Sequence, residues 1–216
     1  MDINLLVGGP EADLPEDFYH QARQMKKWVG ADKGAVRLVK NGIMPDLAVG
    51  DFDSSSAAEI AMVEKAVKDT VIDPLKDDIT DTEMALRYIK KKYQDVDKVT
   101  IYGATGARLD QLLANIFFIL KPEFSWLLNK AVMIDRCNNI SFYRPGSYRL
   151  QKIQGMKYLA FVPLIATRNL TLTNEKYRLD KADFDFPISL SSNEFVGDSG
   201  DFSFTSGVVM VIQSHD

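Results

Sequence analysis

Leu47-Ala48-Val49-Gly50-Asp51-Phe52-Asp53-Ser54 runs into the stretch from Ala57 to Lys68, and Thr70-Val71-Ile72 follows directly. The opening run Leu47-Ala48-Val49 is apolar and too short for a helix, and it stops at a glycine and two aspartates. Between Ala57 and Lys68 the apolar residues Ile60, Val63 and Val67 recur at helical spacing, so this segment is predicted to be an amphipathic helix. Thr70-Val71-Ile72 is again short and β-branched. Strand, loop, helix and strand in that order form the repeating unit of a parallel α/β sheet.

The same alternation extends on both sides. Upstream, Leu5-Leu6-Val7 precedes a predicted helix from about Asp17 to Trp28. Downstream, Thr80 with Glu83 three residues later reads as a capping box that opens a further helix. Val99-Thr100-Ile101-Tyr102 then leads to a predicted apolar helix from about Asp110 to Leu120. Residues 1–130 are therefore expected to form an α/β domain with an open, largely parallel, Rossmann-like sheet. Beyond residue 130 the period changes. Ile140-Ser141-Phe142-Tyr143, Tyr158 to Val162, Leu170 to Thr173 and Val208 to Ile212 are short, rich in β-formers and separated by turns such as Arg144-Pro145-Gly146-Ser147. Residues 131–216 are expected to form a second, all-β domain, a sandwich or barrel.

Composition narrows the function. The 216 residues are 46% hydrophobic and 26% charged, as in ordinary soluble globular proteins. A net charge of −4 argues against a nucleic-acid partner, which needs clustered cations. No apolar run is long enough to span a bilayer, and the N-terminal residues lack the charge and apolar length of a signal peptide, so a cytoplasmic protein with no membrane partner is expected. Cys137 is the sole cysteine, which rules out an intrachain disulfide and a cysteine-based zinc site. With only His20 and His215, the chemistry is expected to rest on carboxylates, backbone amides, Arg and Lys.

In a parallel α/β sheet, ligands bind at the carboxyl ends of the strands. Those ends carry Gly8-Gly9-Pro10, Gly30-Ala31-Asp32-Lys33-Gly34, Gly50-Asp51-Phe52-Asp53-Ser54, the acidic run Asp77-Asp78-Ile79-Thr80-Asp81, and Gly103-Ala104-Thr105-Gly106-Ala107-Arg108. On an extended segment Asp51 and Asp53 would aim two carboxylates at one point, and such hard oxygen donors suit Mg²⁺ beside a substrate phosphate. The pair taken alone reads more readily as a turn that caps the next helix. Asp78 and Asp81, three apart at a helix start, can share a face. Several carboxylates gathered on one rim repel one another unless a cation sits among them. The glycine-rich Gly103–Arg108 loop can offer backbone N–H groups to phosphate oxygens, and Arg108 can add a bidentate contact. Neither G-x-x-x-x-G-K-[ST] nor G-x-G-x-x-G occurs. The expected centre is a Mg²⁺–nucleotide site.

Gly30-Ala31-Asp32-Lys33-Gly34-Ala35, Gly50-Asp51-Phe52-Asp53-Ser54, Asp78-Ile79-Thr80-Asp81 and Gly103 to Gln111, followed by Gly155-Met156-Lys157-Tyr158 and Ser192-Asn193-Glu194-Phe195, resemble the thiamin pyrophosphokinase family in content, order and spacing. The chain departs from the family pattern A-D-G-G-A at Lys33, and in the second acidic motif either Asp77 or Asp78 can take the first position, the spacing to Thr80 favouring Asp78. The resemblance implies an α/β nucleotide domain, a C-terminal β-sandwich, and a homodimer with thiamin bound between subunits. It implies transfer of pyrophosphate from ATP to the thiamin hydroxyl, giving thiamin diphosphate and AMP. Asp51, Asp53 and Asp81 then hold Mg²⁺ with Asp78 close by, and Asp78 or Asp81 orients the hydroxyl or accepts its proton. Asp32, Gly106, Arg108, Asp110 and Gln111 line the nucleotide site, and Ser192 and Asn193 face thiamin. The competing readings are another Mg²⁺-dependent phosphotransferase or nucleotide hydrolase, and a non-catalytic nucleotide sensor.

Overall fold

The computed structural model describes residues 1–73 and 79–216. The chain divides into two compact units, Met1–Phe124 with Met133–Arg136 and Ser125–Val132 with Cys137–Asp216.

In the first unit the elements run β1 (Asp2–Leu6), α1 (Phe18–Ala22), β2 (Trp28–Ala31), α2 (Lys33–Lys40), β3 (Leu47–Gly50), α3 (Ala57–Ala66), β4 (Thr70–Ile72), α4 (Asp81–Lys92), β5 (Lys98–Tyr102) and α5 (Leu109–Phe117). The strands lie in the order β5-β1-β2-β3-β4, every pair parallel, with Leu5 opposite both Val29 and Ile101. All four residues of β2 and of β3 are buried, as expected of strands covered on both faces. The helices α3 and α4 both start with a complete capping box, Ser56 with Glu59 and Thr80 with Glu83.

Two local features differ from the sequence reading. The helix expected from Asp17 to Trp28 ends at Ala22. Lys27 takes a left-handed φ of 56°, and Trp28 opens β2 opposite Asn4 of β1. Pairing in the sheet overrides the helical spacing of Phe18, Ala22 and Met25, and the Trp28 indole N–H donates back to the Ala22 carbonyl at 3.0 Å. The second difference is α2, a helix that the sequence reading does not predict. A side chain on Gly34 would collide with the Leu6 carbonyl oxygen, and one on Gly30 with the backbone of Ala35. Glycine at both places lets the helix start against its own strand.

The strand β6 (Ala131–Ile134) carries residues of both units. The second unit continues as β7 (Asn138–Tyr143), β8 (Gly146–Gln151), β9 (Tyr158–Pro163), β10 (Thr167–Leu172), β11 (Leu179–Phe184), β12 (Leu190–Asn193), β13 (Ser199–Phe204) and β14 (Val209–Ser214). The antiparallel strands β12-β9-β14-β7 form one layer and β11-β10-β13-β8 the other. This is the expected antiparallel sandwich. Leu159, Phe161, Val209 and Val211 of one layer pack with Leu170, Leu172, Phe202 and Phe204 of the other. Phe202 sits within an aromatic cluster, its ring centroid 5.1 Å from Tyr143, 5.2 Å from Tyr148 and 5.2 Å from Phe161. Phe202 and Phe204 are core, Phe184 packs at its edge, and Phe186 is 67% exposed.

Candidate active site

The chain leaves β1 towards β2 on one flank and returns through β5 on the other, so the C-terminal end of β1 is the topological switch point of the sheet. Open α/β sheets bind ligands there. A cleft of about 540 Å³ lies at that place, walled by five segments of the first unit. They are the turn Gly8-Gly9-Pro10 after β1, Asp32 and Lys33 with Arg37 around the head of α2, and Asp53-Ser54 after β3. The other two are Asp81-Thr82 at the start of α4 and the run Gly103 to Arg108, with Gln111 and Asn115 of α5.

Each wall is fixed by identifiable bonds. Gly9 N–H donates to the Gly103 carbonyl at 2.9 Å, which joins the turns after β1 and β5. Asp32 is buried, 8% exposed, and its backbone N–H donates to Val49 O at 2.8 Å. The Ser54 hydroxyl donates to Asp32 Oδ2 at 2.9 Å, whereas Asp32 Oδ1 is buried with no hydrogen-bond partner. The Arg37 guanidinium donates to the Gly9 carbonyl and pairs with Glu11 at 3.0 Å, clasping the first turn. Beside that pair, burial and then the Glu11 carboxylate push the Tyr19 hydroxyl up to about 12.

The sequence-derived residues distribute as follows. Asp32, Asp53, Asp81, Gly106, Arg108 and Gln111 share the cleft. Asp51 stands beside it rather than on its wall. Phe52 takes a left-handed φ of 54° and is buried, so the segment is not extended and the expected alternation of Asp51 and Asp53 does not hold. Instead Asp51 Oδ1 accepts from the Asp53 N–H at 3.2 Å, a local turn that presents Asp53. Asp110 also lies off the wall and grips Arg108 through two hydrogen bonds, 3.2 and 2.5 Å, and this contact lowers the Asp110 carboxyl below its ordinary range. Asp78 and Asp77 lie outside the described residues. In the second unit Ser192 is exposed with φ 62°. Asn193 is buried, its amide accepting from Tyr177 N–H and Glu194 N–H, both at 2.9 Å, and donating to Tyr177 O at 2.8 Å.

Three polar cleft residues lie outside every motif that the sequence offered. Arg37 was hidden inside the unrecognised α2. Thr82 follows Asp81 without a motif of its own. Asn115 had a signal, since it interrupts an otherwise apolar helix. It is buried, donates to the Ala104 carbonyl at 2.9 Å, and leaves its side-chain oxygen without a hydrogen-bond partner.

Among the described residues, no three His, Cys, Asp or Glu side chains gather closely enough to hold a metal unaided. The donor set still suits Mg²⁺, which characteristically takes one or two carboxylates and completes its shell with waters and substrate phosphates. Asp53 and Asp81 face the cleft, and the unpaired buried oxygen of Asp32 is a further hard donor on the same wall.

Residues 18–128 match the family model described as thiamin pyrophosphokinase, catalytic domain, and residues 147–209 match thiamin pyrophosphokinase, vitamin B1 binding domain. The thiamine pyrophosphokinase of Bacillus subtilis (strain 168) is 35% identical over 216 residues, 99% of each chain. A crystal structure of a thiamin pyrophosphokinase family protein from Enterococcus faecalis superposes with a TM-score of 0.92 at 37% identity over 100% of both chains. A Lactobacillus plantarum protein of known structure gives 0.88 at 47% identity, covering 100% of this chain and 99% of its own. With both domain models matched in order and the rim residues gathered at one cleft, the chain belongs to the thiamin pyrophosphokinase family.

Proposed function

We propose that the protein transfers the terminal pyrophosphate of ATP to the hydroxyl of thiamin. The observation that carries this reading is the switch-point cleft, where Asp32, Asp53 and Asp81 stand with Arg108, Gln111 and a double-glycine turn in a chain of this family. The thiamin hydroxyl oxygen forms a bond to the β-phosphorus, the bond from that phosphorus to the oxygen bridging it to the α-phosphorus breaks, and the electron pair leaves with AMP. Such a reaction asks the protein chiefly for in-line positioning and for control of oxygen charge. Bound Mg²⁺ would supply charge neutralisation, held by Asp53 and Asp81 with Asp51 and Asp32 alongside. Arg108, oriented by Asp110, and Gln111 bind the nucleotide with the Gly106 turn. Asp81 or Asp78 orients the hydroxyl and receives its proton.

The α/β domain of residues 1–130 is read as the nucleotide and metal domain, and the β domain of residues 131–216 as the thiamin-binding and dimerising one. Ser192 would face thiamin, while Asn193, whose amide is taken up by Tyr177 and Glu194, shapes the segment that carries it. The exposed Tyr177, Phe186 and Val196 offer apolar surface that a second copy in a homodimer would cover. No described helix is long and apolar enough to cross a membrane. With the acidic net charge, this supports a cytoplasmic enzyme without a nucleic-acid partner.

The test is product analysis of the purified protein with ATP and Mg²⁺, with and without thiamin. Thiamin-dependent AMP matched by thiamin diphosphate is expected; ADP, or AMP release indifferent to thiamin, would overturn the assignment. Asp81→Asn is expected to lower kcat by about 100-fold or more, the scale of a lost proton acceptor or charge-positioning group.

A further inference from the structure

Among the described residues, the cleft wall carries three cations, Lys33, Arg37 and Arg108, against the carboxylates Asp32, Asp53 and Asp81. Two of the cations are already engaged. Arg37 is held by Glu11 and the Gly9 carbonyl, and Arg108 by Asp110. Lys33 is exposed and, among the described residues, makes no ion pair or side-chain hydrogen bond. It directly follows Asp32, which is bonded to Ser54, the neighbour of Asp53, so its side chain starts from the acidic part of the cleft wall. Its stem starts beside the first glycine turn, where a methyl group on Gly8 would meet Lys33 Cβ at 3.8 Å.

A polyphosphate brought against three carboxylates meets like-charge repulsion that must be offset locally. A compact ammonium on a flexible stem suits that task, because it can follow phosphate oxygens as a point charge. We infer that Lys33 grips the β- and γ-phosphates of the nucleotide, the group that is transferred, rather than the AMP portion that leaves. This rests on the nucleotide reading of the cleft and adds to it a residue that discriminates nucleoside triphosphate from monophosphate. Arg108 and Gln111, from the segment that follows β5, are left for the α-phosphate and the nucleoside.

Calorimetric titration of ATP with Mg²⁺, and separately of AMP, into the unaltered protein and the Lys33→Gln and Lys33→Arg variants tests the inference. The exposed position makes both variants safe for folding. Lys33→Gln is expected to weaken ATP between about tenfold and a hundredfold, the range of one charge-assisted contact, and to leave AMP affinity within twofold. Lys33→Arg is expected to keep most of the ATP affinity. Unchanged ATP affinity in Lys33→Gln, an equal loss for AMP, or Lys33→Arg as weak as Lys33→Gln would each overturn it. No thiamin is present, so this outcome is independent of turnover; failure of the proposed reaction would appear separately, as absent thiamin-dependent AMP from the unaltered protein.

Discussion

The Ser54 hydroxyl donates to Asp32 Oδ2 at 2.9 Å, so the loop after β3 is tied to the head of α2 by one bond to a buried carboxylate. Among the described residues nothing else holds that carboxylate by hydrogen bonding, since Oδ1 has no such partner. Ser54→Ala is therefore expected to cost about 1–3 kcal/mol of stability, the range for a lost hydrogen bond to a charged group. In a double-mutant cycle with Asp32→Ala, denaturant unfolding should give a coupling of about 1 kcal/mol or more. A coupling of zero would mean the bond does not hold the two loops together.

Arg37 reaches the site through the backbone it holds. Arg37→Met removes both the bond to the Gly9 carbonyl and the pair with Glu11. The Gly8–Pro10 turn then loses its clasp, and KM for ATP is expected to rise about tenfold with a smaller change in kcat. Arg37→Lys should recover only part of this, because an ammonium lacks the fork that serves two acceptors at once. Steady-state kinetics of the two variants decides it; equal and full recovery by lysine would refute the two-acceptor role.

These two relationships also mark where the sequence was legible. The loop–helix unit from Leu47 to Ile72 and the Thr80–Glu83 cap were readable because each is set by residues close in the chain. The rim location of Asp32, Asp53, Asp81 and Arg108 followed from strand ends in a parallel sheet, a rule that needs only strand positions. What could not be read depends on contacts distant in sequence or on one unusual dihedral. The head of α2 is legible only once Gly34 is known to pack on Leu6. Asp51 and Asp53 part company because Phe52 adopts a left-handed conformation in exchange for burying its ring.

Acid should weaken the junction of α2 and α3. Lys40 Nζ meets Glu59 Oε1 at 2.6 Å, and this contact, reinforced by the Ser56 cap, brings the Glu59 carboxyl down to about 2. A lowered folded-state value means the stabilisation is present above the ordinary value of 4.5 and is lost as pH falls from there towards 2. Thermal melts between pH 5 and about 2 should therefore show a shallower acid slope in Glu59→Gln than in the unaltered protein. Parallel slopes would remove Glu59 as the source.

Phe202 lies at the centre of the sandwich, 2% exposed and ringed by Tyr143, Tyr148, Phe161 and Phe204. Phe202→Ala is expected to destabilise by about 3–5 kcal/mol, the sum of lost burial and the cavity left behind. Chemical denaturation should report this, and a loss under 1 kcal/mol would show that the surrounding rings collapse into the gap.

The strand order of the first unit has a consequence for how the chain is made. The strand β1 precedes the other strands of its unit in the chain, yet Asp2 finds its partner on one flank only when Lys98 emerges. Until then β1 has β2 on one side and an open edge on the other, its N–H and C=O groups available to any passing strand. The same late arrival of β5 that opens a crevice for ligand leaves the nascent chain with an unfinished sheet through much of its translation. The binding site and the folding hazard thus share one cause, and residues 98–102 close the hazard as they complete the site.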